Sequence, residues 1–199
     1  MTKNPRGRPR AYDPEKALTR AMETFWAAGF TGTSLDGLAA ATGMNRPSLY
    51  AAFGDKKAIY LKSLDLYAEH LREAMRGILL SDMPLGEALE AFYRGGIDLY
   101  LSGDEGPRGC FISCTAPAEA MVDEDIRAAL GATLTEIDRG LERLYAKAKK
   151  RGEISEDADE AGLARLAGAV LHSIALRARA GEPRAGLEAI ARQAAKTIR

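Results

Sequence analysis

The chain has 199 residues, with 28 Lys and Arg against 28 Asp and Glu, so its formal net charge is zero. Hydrophobic residues at 46% and charged residues at 28% exclude a disordered or collagen-like chain, and the length suits one or two domains with a real core. It holds 36 Ala but only 2 Val; alanine favours helix and valine strand, so an all-α fold is expected and a β-sandwich or parallel-sheet enzyme is excluded.

The stretch from Met1 to Asp13 is basic and has no apolar run, so no signal peptide is expected. Asp13-Pro14 then supplies an N-cap followed by proline at the first helical position. Leu18, Ala21, Met22, Phe25 and Trp26 share one helical face, and Gly29 ends that helix. Thr33-Ser34-Leu35-Asp36 has the pattern of a capping box and starts a second, shorter helix through Leu38 and Ala39 to Thr42. Gly43 stops it. Asn45 caps a third helix that tolerates Pro47 in its first turn and carries Leu49, Tyr50 and Phe53 as apolar positions. Gly54-Asp55 breaks and re-caps the chain for a long helix from about Lys56 to Leu80.

Further helices are expected at roughly 85–102, 117–130, 133–151, 158–180 and 184–198. Leu163, Leu166, Ala167, Val170, Leu171 and Ile174 make one apolar stripe; Leu187, Ile190, Ala191, Ala194 and Ile198 make another. Gly181-Glu182-Pro183 is the turn between them. The basic run Lys147, Lys149, Lys150, Arg151 and the acidic run Glu156, Asp157, Asp159, Glu160 fall at a helix C-terminus and the next N-terminus. Helix dipoles favour those signs there, so both runs read as structural.

Neutrality overall hides an asymmetry. Residues 1–60 are +4 and the remainder −4, which suggests that the N-terminal part faces a polyanion. Two short helices joined by a glycine turn, the second with polar residues at its start, describe a helix-turn-helix. Ala39 is small where the second helix crosses, Gly43 allows the left-handed turn, and Leu38, Met44 and Leu49 hold the pair together.

The run Thr33-Ser34-Leu35-Asp36-Gly37-Leu38-Ala39 through Gly43-Met44-Asn45-Arg46-Pro47-Ser48-Leu49-Tyr50 to Phe53-Gly54-Asp55-Lys56 resembles the DNA-binding signature of the TetR family of transcriptional regulators. Phe25-Trp26-Ala27-Ala28-Gly29-Phe30 matches as well, so the resemblance covers about residues 12–60; beyond them only the layout of helices is similar. It implies that Thr33 and Ser34 hold phosphate at a helix N-terminus. It also implies that Arg46, Pro47 and Ser48 face base edges, that Tyr50 touches phosphate or a thymine methyl, and that Lys56 binds phosphate. Ala51 and Ala52 are smaller than the residues many relatives place there, so direct readout is expected to be sparse. Upstream, Arg6-Gly7-Arg8-Pro9-Arg10 matches the core of an AT-hook, whose arginines (Arg6, Arg8, Arg10) suit a narrow minor groove.

Other chemistry has little support. His70 and His172 lie far apart, neither joins Cys110 and Cys114 at zinc spacing, and no glycine-rich phosphate loop is present. No catalytic residue, cofactor or metal site is expected. Cys110 and Cys114 cannot make a disulfide framework and suit a reducing, cytoplasmic setting. With no Lys or Arg between Arg108 and Arg127 they read as small buried hydrophobes beside a pocket in preference to the alternative, a thiol sensor. Tyr67, Phe92, Tyr93, Tyr100 and Phe111, with Cys110 and Cys114, are the candidates for lining a ligand cavity.

The expected architecture is all-α: a basic arm (1–11), a three-helix helix-turn-helix DNA-binding domain (12–58) and a helical ligand-binding and dimerisation domain (59–199). The resemblance implies a homodimeric regulator, a repressor, that binds a palindromic double-stranded DNA operator and is released by a small-molecule effector. In the family mechanism the effector changes the tilt of the long fourth helix. The dimer interface is expected on Leu163, Leu166, Val170, Leu171, Ile174, Leu187, Ile190 and Ala194. An architectural protein that coats A·T-rich DNA through its arm, with no effector, is the alternative. The most apolar stretch, Leu163 to Leu176, is too short to span a membrane.

Overall fold

Capping side chains set most of the helix starts in the computed structural model, which describes residues 13–103 and 106–197. The described residues form nine helices and no strand. The chain divides into two units between Ser63 and Leu64, inside the fourth helix and a little later than the expected boundary after residue 58.

In the first unit Asp13 accepts hydrogen bonds from the Glu15 and Lys16 backbones and starts α1 (Pro14–Gly32). The helix kinks at Gly29, whose φ of 73° and ψ of 175° lie outside the helical region. Gly29 therefore interrupts α1, as its position in the sequence suggested, but one more turn follows it. α2 (Leu35–Thr42) and α3 (Arg46–Phe53) are eight residues each. Asp55 accepts from the Ala58 N–H at 2.8 Å and opens α4 (Lys56–Leu80). The core is aromatic on one side, where Tyr60 meets Phe25 at 5.0 Å and Phe30 at 5.1 Å between ring centroids. Leu38, Met44, Leu49 and Phe53 fill the other side.

The second unit is built from α5 (Leu85–Tyr100), α6 (Phe111–Glu119), α7 (Glu124–Lys150), α8 (Glu160–Arg179) and α9 (Arg184–Thr197), with the C-terminal part of α4. α7 packs along α8, α5 against α9 and α8, and α6 against α7 and α8. Two helix boundaries differ from expectation. Pro117 does not open a helix; it sits inside α6, which starts at Phe111. Gly131 does not end one either, because Asp123 caps α7 and its buried face runs on from Ile126 through Thr133 and Ile137 to Leu141. A glycine in a helix costs about 1 kcal/mol, less than the burial gained by continuing.

Three cations of the basic run at the end of α7, Lys147, Lys149 and Arg151, are paired within the fold. Lys147 donates to the Ser81 carbonyl and pairs with Asp82, Arg151 reaches Asp82 at 3.0 Å, and Lys149 meets Glu160 at 3.0 Å. Glu153 accepts the Leu85 N–H, covering a helix start that Pro84 cannot cap with a side chain.

The expected dimer stripe needs correction. Leu171, Ile174, Leu187 and Ala194 are buried within the single chain and form its own core. Leu171 touches the α5 helix at Gly96, where an added Cβ would lie 2.7 Å from its side chain. Leu163, Val170 and Ile190 are half-buried, while Leu166 and Leu176 are 51% and 55% exposed. Residues at i and i+3 or i+4 share a stripe, but the stripe is wider than one interface and its inner edge faces the protomer.

His172 lies half-buried on α8 with Asp138 of α7 nearby, and its Nδ1 finds no hydrogen-bond partner. Burial disfavours the imidazolium and lowers the pKa below the ordinary 6.5, the Asp138 charge opposing it weakly. The unfolded chain then binds a proton before the folded one does. Stability contributed here is complete above about pH 6.5 and is lost as pH falls through the folded value. Melting temperatures between pH 7 and 5 should therefore fall less steeply for His172→Gln than for the natural chain; equal slopes would contradict the assignment.

Candidate nucleic-acid interface

The turn between α2 and α3 sets what the first unit displays. Gly43 takes φ 68° and ψ 19°, the left-handed region, and its N–H closes on the Ala39 and Ala40 carbonyls. Met44 donates its N–H back to the Ala39 carbonyl at 3.1 Å and buries its side chain. Asn45 lies in extended backbone and accepts the Ser48 N–H at 2.8 Å, so α3 starts at Arg46 with Pro47 in its first turn.

One face of α3 is core, through Leu49 and Phe53, and the other is open. Arg46 and Pro47 are exposed, Tyr50 is 46% exposed one turn further on, and Ser48 is half-buried. Tyr50 packs no deeper than this, so its ring stays on the outward face of α3 with Arg46. Lys56, at the first turn of α4, places its ammonium 4.5 Å from the centroid of the Phe30 ring.

The start of α2 departs from expectation by one residue. Ser34, not Thr33, is the N-cap: its hydroxyl accepts the Gly37 N–H at 3.0 Å. Thr33 is buried, donates its hydroxyl to the Gly29 carbonyl at 2.7 Å, and gives its N–H to Phe30. Both donors are used inside the fold, so the expected phosphate contact of Thr33 is corrected to a role closing the last turn of α1. Ser34 remains exposed. The one-residue shift also frees Asp36 from the capping box. It turns outward and takes Arg46 in a two-point ion pair, Oδ1 to Nε at 2.8 Å and Oδ2 to Nη2 at 2.5 Å. No spacing rule for a single helix could have found this contact, since its partners lie on two helices. Arg6, Arg8 and Arg10 fall outside the described residues.

In the second unit Tyr67, Phe92, Tyr93, Tyr100, Cys110 and Phe111 are buried and Cys114 is half-buried. They fall into two groups. Phe92 and Tyr93 meet each other at 5.4 Å, and Tyr93 donates its hydroxyl to the Ala167 carbonyl. Tyr67 packs edge-on against Phe111 at 5.7 Å, and the Cys110 thiol lies close to the phenols of Tyr67 and Tyr100. Burial first, and the neighbouring thiol second, push both phenols well above their ordinary value. Burial also raises the Cys114 thiol. An open groove of about 1070 Å³ lies elsewhere, lined by Leu85, Glu87, Glu90, Glu153, Ile154 and Lys196 among others, with none of these seven residues. Among the described residues no cluster of three or more His, Cys, Asp or Glu could hold a metal ion, and no helix is long and apolar enough to cross a membrane.

Two short helices joined at a left-handed glycine, the second offering Arg46, Pro47 and Tyr50 to solvent, define a helix-turn-helix protein on an all-α scaffold. The comparisons with known proteins agree. Residues 17–62 match the family described as bacterial regulatory proteins, tetR family, and residues 87–194 match the tetracyclin repressor-like C-terminal domain. The HTH-type transcriptional repressor ComR of Escherichia coli (strain K12) is 30% identical over 99% of this chain and 92% of its own length. A cysteine-substituted form of the TetR family transcriptional regulator CifR, solved in complex with a 26-bp double-strand operator DNA, is 32% identical over 96% of this chain and 99% of its own, with a TM-score of 0.86. The chain belongs to the TetR family of bacterial transcriptional regulators.

Thr33→Val keeps the side-chain shape and removes the hydroxyl bonded to Gly29. It should lower stability by about 1 kcal/mol while leaving affinity for operator DNA unchanged. A loss of affinity at unchanged stability would restore the phosphate contact.

Proposed function

We propose that this chain represses transcription by binding a palindromic operator as a homodimer and that a small molecule bound in its second unit releases it. The observation that carries the reading is the exposed start of α3, where Arg46, Pro47 and Tyr50 stand on a helix whose other face is core. A helix presented this way fits the major groove by its N-terminal residues. Arg46 reads a base edge there, with Pro47 and Ser48 alongside. Tyr50, Ser34 and Lys56 contact the backbone. Both ComR and CifR are regulators by name, and the operator complex of CifR supports double-stranded DNA as the partner.

Two-fold symmetry follows from the operator requirement, since half-sites about 34–36 Å apart need two recognition helices at a fixed spacing. The surface offered for pairing is the outer edge of the α8 stripe, Leu163, Leu166, Val170 and Leu176, with Ile190 of α9. Large apolar side chains left open along one helix face fit a second copy of the same face. The effector takes the region of Tyr67, Tyr100, Cys110 and Cys114, where polar groups meet inside an apolar shell. Its binding changes the population of conformers whose recognition helices match the operator spacing. The Arg6, Arg8 and Arg10 arm adds affinity from the minor groove beside each half-site.

Leu166→Glu with Leu176→Glu, both at exposed sites, should give folded monomers by sedimentation that lose operator affinity. Dimers of unchanged strength would reject this face. For the arm, exchanging A·T pairs beside each half-site for G·C should weaken the full-length chain and leave a chain lacking residues 1–10 indifferent. An identical response of both would reduce the arm to a solvated tail.

A further inference from the structure

Arg46 is not a free side chain waiting for DNA. Asp36, from the first turn of α2, holds it side-on through Nε at 2.8 Å and Nη2 at 2.5 Å. A guanidinium has five N–H donors in a fixed plane, and this carboxylate takes two of them. Three remain: both on Nη1 and the outer one on Nη2. The adjacent Nη1 and Nη2 donors point along the end of the fork, parallel and in one plane. That geometry matches two acceptors side by side. In the major groove guanine alone offers such a pair, O6 and N7, whereas adenine pairs an acceptor with a donor.

We propose that Asp36 is a positioning residue that presets the end of the Arg46 fork for a guanine in each operator half-site. The inference rests on the reading of Arg46 as a base-contacting residue and adds to it the base and the second residue responsible. Asp36 is 76% exposed and Arg46 53%, so the pair does little for the fold. Its consequence lies in recognition. An arginine already held in plane loses less side-chain freedom on meeting a base than an unheld one. The exposed carboxylate beside the start of α3 also repels DNA phosphates whatever the sequence, and the preset fork outweighs this only at the matching base. Asp36 therefore raises affinity for the right sequence and lowers it for all others. Two effects of opposite sign from one side chain are not what simple loss of structure produces.

The test uses the full-length chain and a library of duplexes with randomised central positions. Selected sites are then measured by anisotropy with all four bases at each half-site position. The natural chain should prefer guanine at one position by about 5- to 150-fold, and Arg46→Ala should abolish that preference there alone. Asp36→Asn, nearly isosteric and exposed, should cut the same preference to about threefold or less. It should at the same time bind a non-selected duplex several-fold more tightly, an effect that fades at high salt. Asp36→Glu, which keeps the carboxylate, should retain part of the guanine preference. If Arg46→Ala removes the preference and Asp36→Asn leaves it intact, Arg46 reads the base unaided and the proposal is overturned while the underlying reading stands. A preference for a base other than guanine at the Arg46-sensitive position overturns it too. If Arg46→Ala weakens every duplex alike, the base-contacting reading itself falls, and this proposal with it.

Discussion

The display of α3 depends on a single backbone constraint, the left-handed conformation of Gly43. At φ 68° the chain reverses between α2 and α3 within three residues, and any side chain there would strain the turn. The reversal lets Met44 donate its N–H to the Ala39 carbonyl at 3.1 Å and bury its side chain, and leaves Leu38 and Leu49 in the same core. Once those contacts are fixed, the outward face of α3 has no freedom to rotate, because Leu49 and Phe53 hold its inner face. Arg46, Pro47 and Tyr50 are exposed as a consequence of that packing. Asp36 and Arg46 meet for the same reason: the crossing of the two helices, set at Gly43, brings the first turn of one beside the first turn of the other.

Much of this was legible in the sequence because it is local. Asp13-Pro14, Gly43, Asn45 and Gly54-Asp55 each act within a few residues of themselves, and each starts or stops a helix where its chemistry indicates. The resemblance over residues 12–60 rests on the same local signals, and the family match over residues 17–62 bears it out. The failures have a common physical origin in tertiary contacts that override local preference. Thr33 looks like a cap until the Gly29 carbonyl, left open by the kink, claims its hydroxyl. Pro117 looks like a helix start, but buried Phe111 and Ile112 begin α6 earlier, and Gly131 looks like a break in a face whose burial carries α7 through it.

The second unit was harder to read, and its dimer stripe shows why. A single sequence gives the apolar face of α8 but not which part of it is turned towards the protomer. Leu171 and Ile174 are claimed by that core, while Leu166 and Leu176 are left outside. The sulfur and phenol cluster was equally out of reach, since Tyr67 comes from α4, Tyr100 from the end of α5 and Cys110 from the cap of α6. What composition did supply was the fold class. Abundant alanine with almost no valine leaves helices as the means of burying a core, and the described residues contain no strand.

Reading of the major groove by the start of α3 is tested most directly by interference from base methylation. Dimethyl sulfate modifies guanine at N7, in the major groove, and adenine at N3, in the minor groove. On a selected duplex, N7 methylation should block binding by the full-length chain in two symmetry-related patches, with centres separated by about 34–36 Å along the duplex. Interference confined to adenine N3 would contradict the account, because binding would then run through the minor groove and the basic arm alone.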